Sequence, residues 1–477
     1  MKIFHISLVF VLVVVAGRGF DANAQTETNV HSFVGHPNDG LNPEAGLVQG
    51  SDGNFYGTAS GGGTSNLGTV FRISPGGNYT NLYSFVGPPN DGGAPTVGLV
   101  QGSDGNFYGT TQQGGTDYAG TVFRISRSGA YTNLYSFGTS TLYDGLGPQA
   151  GLVQGSDGNF YGTTATGGVN FNGTVFRISP GGNYTNLYSF VGPPNDGNSP
   201  VAGLVQGRDG NFYGTAAGGA PNANCPNGCG TVFRISPGGS YTNLYSFGGT
   251  PNDAGFPVAG LVQGSDGYFY GTTEEGGTVN GGAVFRISPG GSETNLYSFT
   301  GAMIDGYSPE AGLVQGSDGN FYGTAFGGGT NNLGIVFRIT PGGSYTNLYP
   351  FAGYPNDGSH PVAGLVQGSD GNFYGTTEDG GTNDSGTVFK FSVPLNPPPW
   401  PINQITGIQK SGTNTVLTIP SIAGETYQLE YRGSLTSGTW SNVPGVSVTN
   451  SIGALLTLTN FAGANQPQGF YRFDITP

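Results

Sequence analysis

Charge is scarce in this chain. Asp, Glu, Lys and Arg make up 9% of the 477 residues, and only 14 residues are basic. Binding to nucleic acid or to an anionic membrane surface draws on clustered Lys and Arg. No such cluster exists here, so neither partner is expected. Cysteines number two, which excludes a disulfide-dense scaffold. Past residue 24 the histidines are His31, His36 and His360. His36 and His360 fall in corresponding loops of the pattern described below, with no third ligand, whereas catalytic metal takes about three protein ligands. No Ser-His-Asp set, phosphate loop or redox motif occurs. Long apolar runs are missing too. The longest, 3–16, is shorter than the roughly 20 residues a membrane-spanning helix needs. Past that run no stretch shows a capped 3.6-residue periodicity.

Glycine is what the chain has in excess, 92 residues, alongside 31 Phe and 26 Tyr. The aromatics recur at fixed intervals and supply a core that such a glycine content alone would not. The run Gly-Leu-Val-Gln-Gly starts at Gly46, Gly98, Gly151, Gly203, Gly260, Gly312 and Gly364, with steps of 52, 53, 52, 57, 52 and 52 residues. A period of this size marks a repeat architecture. Each repeat holds four short extended runs, named A to D. In the first repeat these are 46–50, 54–58, 69–74 and 79–85. Ser51-Asp52-Gly53 and Pro75-Gly76-Gly77 between them are tight-turn sequences. Four antiparallel strands in about fifty residues is a propeller blade.

The ends of the array decide between a closed ring and an open solenoid. Repeat seven has A (364–368), B (372–376) and C (387–392) and no D. The missing D lies at the other end of the chain, where Thr28-Asn29-Val30-His31-Ser32-Phe33 matches Thr80-Asn81-Leu82-Tyr83-Ser84-Phe85. The expected fold is therefore all-β: a seven-bladed propeller over 25–393, its last blade completed by the N-terminal strand. Closure also removes the exposed end edges.

Residues 1–24 read as a secretory signal peptide: Lys2, the apolar run, then Ala22-Asn23-Ala24. The chain is thus expected to be exported, secreted or at the cell surface. Residues 394–401 form a Pro-rich linker. Residues 402–477 carry short alternating strands and are expected to form a small β-sandwich. The region 25–393 carries 24 acidic and 9 basic side chains, so the acidity belongs to the propeller. Cys225 and Cys229 sit in the longest B–C loop, and in an exported chain a disulfide is the expected pairing.

The repeated Asp-Gly-Asn-Phe-Tyr-Gly-Thr-Thr, Gly-Gly-Thr and Gly-Thr-Val-Phe-Arg-Ile resemble the GloVer tandem repeat of exported bacterial proteins, over about 28–392. The end of the chain, with 425–431 and Gly469-Phe470-Tyr471-Arg472, resembles C-terminal β-domains common on such proteins. The resemblance implies a secreted or surface protein with varied C-terminal anchoring. It brings no enzyme activity and no catalytic residues.

Two sets of repeated side chains are expected to be structural. Arg72, Arg124, Arg177, Arg234, Arg286, Arg338 and Lys390 on strand C should pair with the turn residues Asp52, Asp104, Asp157, Asp209, Asp266, Asp318 and Asp370 or with nearby carbonyls. The D–A loop residues Asp39, Asp91, Asp144, Asp196, Asp253, Asp305 and Asp357 should make Asx-type turns. Calcium is the alternative for the second set, though one carboxylate per blade is thin for that ion. No other cofactor is expected.

Function should lie where the repeat is broken. The A–B and C–D turns are short and uniform, whereas the D–A and B–C loops vary and share one face. Asp117, Tyr118, Phe171, Glu274, Glu275, Phe326, Glu378 and Asp379 on the B–C loops are the candidate ligand-binding residues. Aromatics among carboxylates suit a glycan, and a protein ligand is equally open. The main expectation is a non-enzymatic binding or adhesion module. The alternatives are a polysaccharide-acting hydrolase or lyase using loop carboxylates, and a structural surface protein with no ligand. Oligomeric state does not follow from the sequence.

Overall fold

The computed structural model describes residues 26–393, apart from 90, 139–143, 195, 220, 222–224, 226–227, 252 and 302–304, and the backbone of six strands between 407 and 476. The expected signal peptide (1–24) and linker (394–401) lie outside the described residues. No helix occurs among the described residues, and none there is long and apolar enough to cross a membrane.

Residues 25–393 form one compact unit of seven four-stranded antiparallel sheets, the blades of a propeller. In the first blade the strands are Val48–Gln49, Phe55–Ala59, Thr69–Ile73 and Tyr79–Ser84. Strand A is shorter than the apolar run suggested: only Val48 and Gln49 pair with strand B. The flanking glycines are used for proximity. A Cβ on Gly98 would sit 2.8 Å from the Gly46 carbonyl oxygen. The same contact repeats around the ring, and Gly46 in turn meets Gly364. Small residues let the seven inner strands converge on the channel.

The closing strand is where the register placed it. Thr26–Ser32 pairs antiparallel with Thr387–Ser392, Thr28 opposite Lys390. Phe33 behind it is fully buried and joins Phe55, Phe71 and Val388 in the core. Each seam between blades has its own apolar cluster. The B-strand Tyr of one blade packs on the B-strand Phe of the next, as in Tyr56–Phe107 at 3.9 Å and, across the closure, Phe55–Tyr374 at 4.1 Å. Such ring contacts add about 0.5–1.5 kcal/mol each beyond the area they bury.

Two hydrogen-bonded rings tie the blades together. Thr58 Oγ1 donates to the Val97 carbonyl of the next blade, and its equivalents continue to Thr376, which donates to Ala45. On the turn face, Gln101 Oε1 accepts from the Ser51 amide of the preceding blade, and the same link closes from Ser369 to Gln49. The glutamine of the repeat is therefore a blade-to-blade fastener and more than a channel lining.

The strand-C cations do not pair generally with the turn aspartates. Asp52 accepts instead from Asn54 and from the Tyr56 hydroxyl at 2.8 Å, a set repeated around the ring except that the Tyr268 amide stands in for Asn in blade five. Asn and Tyr lie two and four residues along the same hairpin, so they reach the carboxylate first. Lys390 in the seventh blade does make the ion pair, with Asp370 at 3.0 Å.

Residues 394–477 belong to a separate unit. Its strands form two three-stranded antiparallel sheets. One holds Gly407–Ser411, Asn414–Pro420 and Leu455–Asn460; the other holds Ser441–Thr449, Thr426–Arg432 and Phe470–Thr476.

Candidate functional site at the channel mouth

The D–A and B–C loops of one blade are joined in a way the Gly-rich sequence did not reveal. Each pair forms a two-residue antiparallel ribbon, such as Gly40–Leu41 with Gly61–Gly62. Seven ribbons brace the loop face. Beyond each ribbon the D–A loop places one residue in the left-handed region: Asn42, Ala94, Gly147, Ser199, Phe256, Ser308 or His360, with φ between 49° and 59°. Its carbonyl accepts from the amide that opens the B–C loop, as His360 does from Glu378. Backbone geometry is thus constant around the ring, and side chains are free to differ.

The D–A loop aspartates hold this scaffold. Asp91 accepts from the Tyr83 hydroxyl, the Val86 amide and the Gly92 amide at 2.7–2.9 Å. Its equivalents do the same job, and six of the seven are buried. They clip the two ends of the loop together and do not make two-residue Asx turns. Their surroundings present N–H and O–H hydrogens where calcium needs oxygen lone pairs. Among the described residues no group of three or more His, Cys, Asp or Glu side chains is placed to hold a metal ion.

On the loop face the channel opens into a basin of about 300 Å³. Its rim takes one residue from each D–A loop: Glu44, Thr96, Gln149, Val201, Val258, Glu310 and Val362. The residue that opens each B–C loop (Ser60, Gln112, Ala165, Ala217, Glu274, Phe326 and Glu378) belongs to the same scaffold. The two series are strongly lopsided. Acidic residues occur only in blades five, six, seven and one: Glu274, Glu310, Glu378 and Glu44. Blades two to four supply Thr, Gln, Ala and Val.

The carboxyls of this arc sense one another. Burial first, then the charges of Glu274 and Glu378, push the Glu310 carboxyl up to about 7. Burial raises Glu44, helped by Glu378 and opposed by a 2.8 Å hydrogen bond from Ser60. Burial raises Glu274 too, with Glu275 adding. Half-buried Phe326 lies in the same arc and stacks on His360 at 4.7 Å between centroids. His360 Nδ1 is 3.0 Å from Asp379 Oδ2. His36, earlier in the D–A loop of blade one, contacts the Gly63 carbonyl at 2.8 Å.

Of the residues marked by sequence, Glu274, Phe326, Glu378 and Asp379 therefore fall in one arc. Glu44 and Glu310, which were missed, and His360, weighed above only as a metal ligand, complete it. They sit in D–A loops, and the candidates chosen from sequence were all on B–C loops. The signal that could have found Glu44 and Glu310 is the column two residues before each Gly-Leu-Val-Gln-Gly, which reads Glu, Thr, Gln, Val, Val, Glu, Val. Asp117, Tyr118 and Phe171 lie outside the arc, on B–C loop tips of blades two and three. Tyr118 is 72% and Phe171 54% exposed there.

Glu275 points elsewhere. It lines a second cavity of about 450 Å³ with Cys225, Cys229, Thr250, Phe256 and Asn280. Cys225 and Cys229 form a disulfide, Cα atoms 5.5 Å apart. Cys229 is fully buried against Phe247 and Ala254, so the bridge roots the long loop in the seam between blades four and five.

The Gloeobacter/Verrucomicrobia repeat matches residues 17–225 and 208–396. No curated protein matches the chain. Among solved structures, two extracellular domains of hybrid two-component systems of B. thetaiotaomicron are similar in fold. One shares 12% identity at a TM-score of 0.50 over 94% of this chain and 59% of its own. The other shares 11% at 0.49, over 91% and 55%. This chain thus spans little more than half their length. A lectin from Burkholderia pseudomallei aligns at 12% identity and a TM-score of 0.47, over 70% of this chain and 96% of the lectin.

Proposed function

This chain belongs to the Gloeobacter/Verrucomicrobia repeat family, and from that footing we propose that it is an exported, non-enzymatic binding propeller whose ligand docks at the acidic arc of the channel mouth. The observation that carries the reading is the confinement of Glu274, Glu310, Glu378, Glu44 and Phe326 to one side of a rim whose backbone is seven-fold regular. A structural surface protein without a ligand has no use for that asymmetry. The disulfide fits an oxidising compartment. The ligand class is a glycan or protein segment that brings hydroxyl or ammonium groups to the carboxyls and a flat face to Phe326.

A glycan and peptide array probed with residues 25–477 tests this. Binding by the wild type, lost in E310Q/E378Q and in F326A and kept in Y118A, supports it. Binding that survives both arc variants removes the arc from the account.

A second reading rests on Glu310 alone. A carboxyl poised near 7 between two others is what a general acid needs at neutral pH. Polysaccharide turnover by the wild type, abolished in E310Q, would replace the binding reading with a hydrolase or lyase.

A further inference from the structure

The outer rim of each seam is built to one plan. A D-strand residue of one blade stacks on the first D-strand residue of the next, and both face the aspartate of the intervening D–A loop. Tyr83 stacks on Tyr131 at 4.2 Å beside Asp91, and Tyr297 on Tyr345 at 4.1 Å beside Asp305. Five seams carry Tyr at the second position: Tyr79, Tyr131, Tyr184, Tyr241 and Tyr345. Burial first, with the neighbouring aspartate adding, holds these hydroxyls well above the ordinary tyrosine range. They keep their protons at any physiological pH.

Two seams break the plan with a carboxylic acid. Glu293 stands where Tyr is expected, facing Tyr245 and Asp253. Glu27 does so facing Tyr349 and Asp357. Both aspartates are already committed. Asp357 accepts from the Tyr349 hydroxyl and the Ala352 and Gly358 amides, and Asp253 from Tyr245, Gly248 and Ala254. Oε1 of Glu27 and Oε1 of Glu293 are buried without a hydrogen-bond partner. The nearby cations of the partner strands are engaged elsewhere. Lys390 is with Asp370, and Arg286 is over the Tyr268 ring and at the Pro341 carbonyl. A glutamic acid can be neutral beside such an aspartate only while it holds its proton. Once ionised, it sets two like charges together in a partly buried seam.

We propose that the Glu27 and Glu293 seams are proton-dependent latches, closed while each glutamate keeps its proton and loosened when it ionises. The Glu27 seam matters more, because Glu27 lies on the strand that closes the ring. Burial, then the charge of Asp357, pushes the Glu27 carboxyl up to about 8. Burial, then Asp253, pushes Glu293 up to about 7, with the Tyr245 hydroxyl opposing. A group whose folded value is raised stabilises the fold below its unfolded value, and that contribution is lost as pH rises through the folded value. Loosening is therefore reached at about neutral pH in the Glu293 seam and on the alkaline side of neutral in the Glu27 seam.

Hydrogen exchange on residues 25–477, corrected for intrinsic rate, tests the latch. In the wild type, exchange of Thr26–Ser32 should rise about tenfold or more from about pH 6 to about pH 9, and Glu293–Ser298 should rise by less. E27Y restores the residue of the regular seams, and E27Q keeps the shape without the charge. Either variant should hold the rise at Thr26–Ser32 to about twofold while leaving the Glu293 seam responsive. Wild-type protection that does not change between the two pH values overturns the proposal. So does a rise that persists in both Glu27 variants, which would place its source elsewhere, Glu310 included.

Discussion

The two faces of the propeller carry the same seven-fold backbone and use it differently. On the turn face the side chains repeat along with the backbone. Each turn Asp holds a strand-B Tyr, and each inner-strand Gln fastens two blades. On the loop face only the backbone repeats, through ribbons and left-handed residues, while the rim side chains run from Val to Glu. Repetition down to the side chain serves stability, because every blade needs the same job done. Under the proposed function, variation on a fixed backbone serves recognition, because the proposed ligand meets only one arc of the ring.

Substitutions should separate the two roles. The largest effect belongs to the closure: deleting 25–34 removes a full strand and fully buried Phe33. The expected loss is about 4 kcal/mol or more, read as a sharply lower melting temperature. An unchanged melt would break the ring argument. Next, Gly109→Ala places a Cβ 2.7 Å from both Leu99 and Phe123. It should cost about 1–3 kcal/mol by denaturant titration and leave ligand affinity alone. C225S/C229S opens a very short covalent loop and should cost about 2 kcal/mol, confined to thermal stability. Gln206→Ala removes one fastener, to Ser156 and Gly210, for about 1 kcal/mol. The smallest stability effect is at the rim, and its sign is reversed. Because the Glu310 value is raised, its ionisation disfavours the fold as pH climbs past about 7. E310Q should therefore melt no lower than wild type at pH 8, and slightly higher if anything, while binding is lost. A rim variant that unfolds the protein would blur the division between the faces.

The ring was legible because register survives in sequence: Thr28 to Phe33 carries the D-strand spelling at the wrong end of the chain. Hairpins were legible for a local reason, that Asp-Gly and Pro-Gly-Gly turn wherever they occur. Pairings between blades were not. Gln49 and Ser369 are separated by 320 residues, and nothing in the spelling of either names the other. The Arg–Asp pairing failed because opposite charge was weighed above reach; Asn54 and Tyr56 share a hairpin with Asp52, and Arg72 finds Thr80 instead. Half of the rim was hidden for a similar reason. Searching loop by loop finds Glu274 and Glu378, whereas Glu310 appears only when the seven D–A loops are read as one column.

The central claim is that recognition lives on the acidic arc and nowhere on the turn face. Array binding by E44Q/E274Q/E310Q/E378Q, set beside a turn-face control, D52N/D104N, measures it directly. The account predicts that the rim variant stays folded and loses the wild-type ligand while the turn-face variant keeps it. Ligand retained by the rim variant, or lost only on the turn face, would contradict it.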